Sequence, residues 1–138
     1  MKRLLLFFIT TLILICGATA RYVLRDSVCY FEADFIYYRL YTADEIKGAP
    51  RLNGQYHFCF SQPDGNDPGV SAIVYSGVND ITALHPWLIA EGYKKVSSQS
   101  FVEKWQQEAT KSTIFLTLNQ ENKSVTLGLE QYSPYYPE

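Results

Sequence analysis

Residues 112–131 contain two runs of two-residue alternation that must belong together. Ile114, Leu116 and Leu118 alternate with Thr113, Thr117 and Asn119. Past Gln120, Glu121, Asn122 and Lys123, the residues Val125, Leu127 and Leu129 alternate with Ser124, Thr126 and Glu130. Successive side chains of a strand point to opposite faces, so each run predicts a strand with one buried side. If Leu118 faces Val125, then Leu116 faces Leu127 and Ile114 faces Leu129. One register thus places all six apolar residues on one face of an antiparallel hairpin over 113–131. An isolated two-stranded hairpin is at best marginally stable in water. The upstream chain must therefore supply more strands and a cover.

The first 20 residues are set apart from this fold. Lys2 and Arg3 precede an apolar run over 4–16, and Ala18, Thr19 and Ala20 follow as small residues at a cleavage site. This order predicts a cleaved signal peptide over 1–20 and an exported protein, secreted or periplasmic. The run is shorter than the roughly 20 residues a membrane span needs, and no later stretch is apolar enough. No stable span is therefore expected after cleavage. Residues 21–138 are the right length for a single domain, with an extended tail over 132–138 set by Pro134 and Pro137. Formal charge is −2, and losing Lys2 and Arg3 makes the remainder more acidic. The basic residues are scattered, which argues against nucleic acid as a partner.

Cleavage would leave two cysteines, Cys29 and Cys59. An even count behind a secretory signal predicts one disulfide. Neither cysteine has a histidine at zinc-ligand spacing, so no metal is expected.

Taken in order, aromatic and β-branched runs predict strands over 22–31, 35–41, 55–61 and 70–78. The last of these is apolar on both faces, which suits a central position. The period then changes. Asp80, Ile81, Leu84, Pro86 and Trp87 predict a short helix over about 80–91 that stops at Gly92. Ser100 and Glu103 match a capping box ahead of an apolar stripe, Phe101, Val102, Trp105 and Ala109, which predicts a second helix over about 99–110. The expected fold is α+β: an antiparallel sheet of five to six strands, two short helices packed on one face, and the C-terminal hairpin inside the sheet. A pure β-barrel is the rival architecture, and the helical pattern over 80–109 argues against it.

Candidate chemistry is sparse. Residues 64–69 have the outline of a calcium loop, but Pro68 occupies a ligand position and Tyr75 the position of the bidentate glutamate. His57, two residues before Cys59, reads as packed beside the disulfide, and His85 before Pro86 as leading into a helix. No nucleophile elbow or phosphate-binding loop occurs. Neither a cofactor nor a catalytic set is expected. Asn122, Lys123 and Ser124 form a glycosylation acceptor pattern at the hairpin tip. The surplus of tyrosine, 11 residues, fits a binding surface as well as rings buried up to their hydroxyls.

These features favour a small exported module that binds another protein, of the inhibitor or immunity type that occludes a partner. Tyr37, Arg39, Tyr41, Trp87, Tyr135 and Tyr136 are the candidate contacts. A small secreted hydrolase using His57 or a carboxylate is one alternative. A subunit of a cell-envelope assembly is another.

Overall fold

The C-terminal hairpin forms in the expected register. In the computed structural model, which describes residues 2–23, 26–52, 54–65 and 67–131, Leu118 pairs with Val125, Leu116 with Leu127 and Ile114 with Leu129. The strands are β1 (Ser27–Tyr30), β2 (Tyr56–Ser61), β3 (Gly69–Ser76), β4 (Tyr93–Gln99), β5 (Val102–Gln107), β6 (Thr113–Asn119) and β7 (Ser124–Gln131). They make one seven-stranded sheet in the order β1-β2-β3-β7-β6-β5-β4. Every neighbouring pair is antiparallel. The sheet thus joins two meanders along β3 and β7. As expected from its apolar faces, β3 lies inside the sheet, between β2 and β7.

The helices are α1 (Lys2–Val23), α2 (Phe35–Tyr41), α3 (Asp44–Lys47) and α4 (His85–Ala90), with a 3-10 turn at Ile81–Leu84 leading into α4. The side chains of residues 7–20, within α1, are all exposed. Among the described residues no helix is long and apolar enough to cross a membrane.

The core lies on one side of the sheet. Ile73 and Tyr75 of β3, Val125 and Leu127 of β7, Ile114 and Leu116 of β6, and Phe58 of β2 are fully buried there. Ile46 of α3, Leu84 of the 3-10 turn and Leu88 of α4 are also fully buried and belong to the same cluster. Four hydrogen bonds fasten the segment over 41–50. The Ser71 hydroxyl accepts from the Ala43 amide at 2.9 Å and donates to the Tyr41 carbonyl at 3.2 Å. The hydroxyls of Tyr30 and Thr42 are 2.9 Å apart. Tyr75 donates to the Pro50 carbonyl at 2.7 Å. Such bonds matter because a buried polar atom left unpaired costs about 1–3 kcal/mol.

The opposite face is more open: Ala72 and Thr113 are buried there, and Val70, Val74, Phe115 and Thr126 are half-buried. There Phe115 lies over Gly128, where a Cβ would come within 2.2 Å of the ring, so the missing side chain at 128 is what admits the aromatic.

Several expectations need correction. The sheet has seven strands rather than five to six. The segment over 99–110 is not a helix. Ser100 has φ +51° at the turn between β4 and β5, so it cannot cap a helix. Phe101, Val102 and Ala109 of the supposed apolar stripe are exposed, while Glu103 and Trp105 alternate inward as strand residues. Conversely, 35–41 is helix, not strand. Tyr37, Tyr38 and Tyr41 then share the inward side at helical spacing, packed on the core. The linker before α2 closes as a turn, with Asp34 N–H donating to the Phe31 carbonyl at 3.0 Å and the Asp34 carboxylate accepting from the Phe31 amide at 2.9 Å. The first strand covers 27–30 only. Residues 22–23 belong to α1, and 24–25 lie outside the described residues, as does the tail over 132–138.

The helix expected over 80–91 is present as the 3-10 turn plus α4. Asp80 caps the turn, its carboxylate accepting from the Thr82 amide at 2.8 Å. Over 64–67, Asp64 and Asp67 pair their backbones across a turn through Gly65, which has φ +57°.

Candidate protein-binding surface

The helical winding of α2 decides which of its side chains meet water. Its inner side is an aromatic stack on β1 and β2. Tyr41 lies over Phe60 with ring centroids 4.6 Å apart, Tyr38 meets Phe58 edge-on at 5.1 Å, and Tyr37 stacks on Tyr30 at 6.1 Å. Arg51 seals one flank. Its guanidinium lies over Phe58 and Tyr56, and it reaches Glu32 at 3.4 Å and the Tyr38 hydroxyl at 3.3 Å. Glu32 accepts from the Tyr56 hydroxyl at 2.7 Å. That hydrogen bond, with Arg51 beside it, outweighs burial and holds the Glu32 carboxyl below its ordinary pKa.

With the tyrosines turned in, the other side of α2 carries apolar residues outward. Phe35, Ile36 and Leu40 are 67%, 58% and 60% exposed, and Phe31 just before the helix is 63% exposed. Arg39 lies among them in sequence, exposed, with its guanidinium 6.0 Å from the Phe35 ring centroid. Large apolar side chains concentrated in ten residues, with an arginine in their midst, have the composition of a protein-contact surface.

The residues singled out in the sequence are divided by this geometry. Arg39 is on the outward side. Tyr37 is half-buried and Tyr41 only 8% exposed, both packed on the core. Trp87 sits half-buried on α4, away from α2 in the chain. Tyr135 and Tyr136 lie outside the described residues. Phe31, Phe35, Ile36 and Leu40 were not anticipated, because in a strand Ile36 and Leu40 would share a face with Tyr38 and Phe35 would lie opposite.

Cys29 and Cys59 are directly paired across β1 and β2 and form a disulfide, with Cα atoms 4.1 Å apart. The bond is compatible with an extracellular or periplasmic location. It lies on the open face of the sheet, and a His57 ring nitrogen and both sulfurs fall within 4.8 Å of one another. The Phe31 ring meets the His57 ring edge-on at 6.3 Å. His57 is thus beside the disulfide, where sequence reasoning put it.

A second polar cluster was not legible in the sequence. Glu103 of β5 projects into the core side of the sheet opposite Leu116 and is 7% exposed. Its carboxylate contacts His85 Nε2 at 2.7 Å and accepts from Lys95 Nζ at 3.1 Å and Trp105 Nε1 at 3.1 Å. Burial pushes the carboxyl pKa up, but the three partners outweigh it and the net shift is downward. A carboxylate orienting a histidine supplies two members of a nucleophilic triad, the base and its orienting group. Among the described residues, however, no serine, threonine or cysteine hydrogen-bonds to His85. The cluster instead ties the start of α4 to β4 and β5.

No protein-family model, curated protein or solved structure matches this chain.

Proposed function

We propose that the protein is an exported module that binds another protein through the outward side of α2, occluding its partner in the manner of an inhibitor or immunity protein. One observation carries the reading: Phe31, Phe35, Ile36 and Leu40 are each more than half exposed within ten residues that also carry the exposed Arg39. Water contact at four large apolar side chains is unfavourable, and a partner that covers them recovers about 1.5–3 kcal/mol for each one fully buried. The partner's matching surface is an apolar depression with a carboxylate at its edge to meet Arg39. The disulfide suits an oxidising compartment.

The test is affinity capture from the envelope and culture medium, comparing the wild type with the double variant Ile36→Glu, Leu40→Glu and with a control, Val102→Glu, on β5. All three positions are exposed, so the fold is retained. The wild type and the control should recover the same protein. The α2 variant should bind it at least about 30-fold more weakly, as expected when a hot spot worth about 2 kcal/mol is lost. Equal recovery by the α2 variant overturns the assignment, and so does equal binding of wild type and variant to lipid vesicles in place of a protein.

A further inference from the structure

The disulfide sits at the rim of the sheet, and its two sulfurs are not equivalent. β1 is an edge strand paired with β2, and no strand lies beyond it among the described residues. Cys29 is exposed there, whereas Cys59 on β2 is half-buried. Thiol–disulfide exchange is attack by a thiolate on one sulfur while the other departs, the incoming and departing sulfurs lying on opposite sides of the one attacked. Attack on Cys29 comes from the side away from Cys59, which is past the sheet edge and in solvent. Attack on Cys59 would come from over β3. There its paired residue Ala72 is 3% exposed, and Val70 and Val74 to either side are half-buried. Access therefore selects Cys29 as the sulfur attacked and Cys59 as the sulfur that leaves.

His57 stands beside the leaving sulfur. It precedes Cys59 by two residues and so shares its face of the sheet. One of its ring nitrogens falls within 4.8 Å of both sulfurs. A ring N–H donates to a thiolate, and a protonated ring also offsets the thiolate's charge. Phe31 meets the ring edge-on at 6.3 Å, and among the described residues no hydrogen bond or ion pair engages it. Apart from His57 and the two cysteines, this face of β1, β2 and β3 carries only serine, alanine and valine. No other charged side chain of these strands competes for His57 or for the thiolate.

We propose that the Cys29–Cys59 disulfide is a thiol-exchange site. An external thiolate forms a new S–S bond to Cys29, the Cys29–Cys59 bond breaks, and its electron pair leaves on Cys59 as a thiolate that His57 stabilises. A second thiolate then attacks the external sulfur of the mixed disulfide, and Cys29 departs as a thiolate. Two external thiols are thereby oxidised to a disulfide, and the Cys29–Cys59 pair takes up the two electrons. The thiols belong to two small molecules or to one protein dithiol. The site stands whether or not the outward side of α2 binds a protein.

The test follows exchange of the native protein with glutathione, quenched in acid at early times, with peptide masses locating the adduct. Glutathione should appear on Cys29 in about tenfold excess over Cys59, at a rate unchanged by urea below the unfolding transition. His57→Gln should slow exchange by about tenfold, because the departing thiol loses its stabilising neighbour; an unchanged melting temperature separates this from loss of the fold. In Cys29→Ser, Cys59 is left as a free thiol. It should react with iodoacetamide faster than in the same variant carrying His57→Gln, a difference that a packing role for His57 would not produce. If Cys29→Ser does not fold, the adduct position and the urea dependence in the wild type decide the question. Reduced thioredoxin in place of glutathione separates the two sources: a faster reaction per thiolate assigns a protein dithiol, and a slower one assigns small thiols. Adduct chiefly on Cys59, exchange only in proportion to the unfolded fraction, or an equal rate in His57→Gln overturns the proposal.

Discussion

Replacing Glu103 tests the least expected feature of this fold. In Glu103→Ala the buried Trp105 Nε1 loses its acceptor, which costs about 1–3 kcal/mol. His85 loses a 2.7 Å partner in a setting where its side chain is 22% exposed, worth about another 1 kcal/mol. The Lys95 side chain is 41% exposed, so water screens it and its share is at most about 1 kcal/mol. The total, about 2–5 kcal/mol, overlaps the usual cost of about 3–5 kcal/mol for breaking a buried charged pair. Glu103→Gln keeps a carbonyl for Trp105 and forfeits only the charge, so about 1–2 kcal/mol is expected. The assay is urea unfolding at neutral pH, in which the midpoint should fall in the order wild type, Gln, Ala with little change in slope. The acid limb adds a second readout. Because the folded-state pKa of Glu103 lies below its unfolded value, its stabilisation is complete above about pH 4.3 and is lost as pH falls through the folded-state value. The gap between wild type and Glu103→Gln should therefore close in acid. A Gln variant within about 0.5 kcal/mol of wild type at neutral pH, or a gap that persists unchanged in acid, would refute the reasoning.

Removing the disulfide with Cys29→Ser and Cys59→Ser should cost about 3–4 kcal/mol on a chain-entropy argument for a separation of 30 residues; unfolding with and without reductant checks this. Leu116→Ala empties a fully buried site and should cost about 2–5 kcal/mol in the same assay. Ser100→Gly discriminates turn from helix by sign: at φ +51° glycine should be neutral or stabilising by up to about 1 kcal/mol, whereas inside a helix it would destabilise by a similar amount. Tyr41→Ala should lower the melting temperature markedly, at about 3–5 kcal/mol for a buried aromatic, while Leu40→Ala next to it should leave stability within about 0.5 kcal/mol.

The parts of the fold that could be read from the chain were those in which one periodicity admitted one register. In the hairpin of β6 and β7, six apolar residues agree on a single pairing, and the fold uses it. The run over 35–41 is ambiguous for a physical reason. Its seven residues hold so many apolar groups that alternation and helical spacing both yield a plausible inward face, and only the aromatic floor of β1 and β2 selects Tyr37, Tyr38 and Tyr41. Over 99–110 a charged residue misled the pattern. Glu103 looked like a capping residue, yet it is buried among His85, Lys95 and Trp105, two of which lie 18 and 8 residues away in sequence. In β4 every residue but Tyr93 is exposed, so no apolar period marked it as a strand. The proposed binding surface inherits the first ambiguity: Arg39 is exposed on either reading, whereas Phe35, Ile36 and Leu40 turn outward together only because 35–41 is helical.

Hydrogen–deuterium exchange, measured on the free protein and on its complex with the captured partner, bears most directly on the role of α2. The account predicts slowed exchange centred on residues 31–41, with β4 and β5 unaffected. Protection confined to other segments, with 31–41 exchanging as in the free protein, would contradict it.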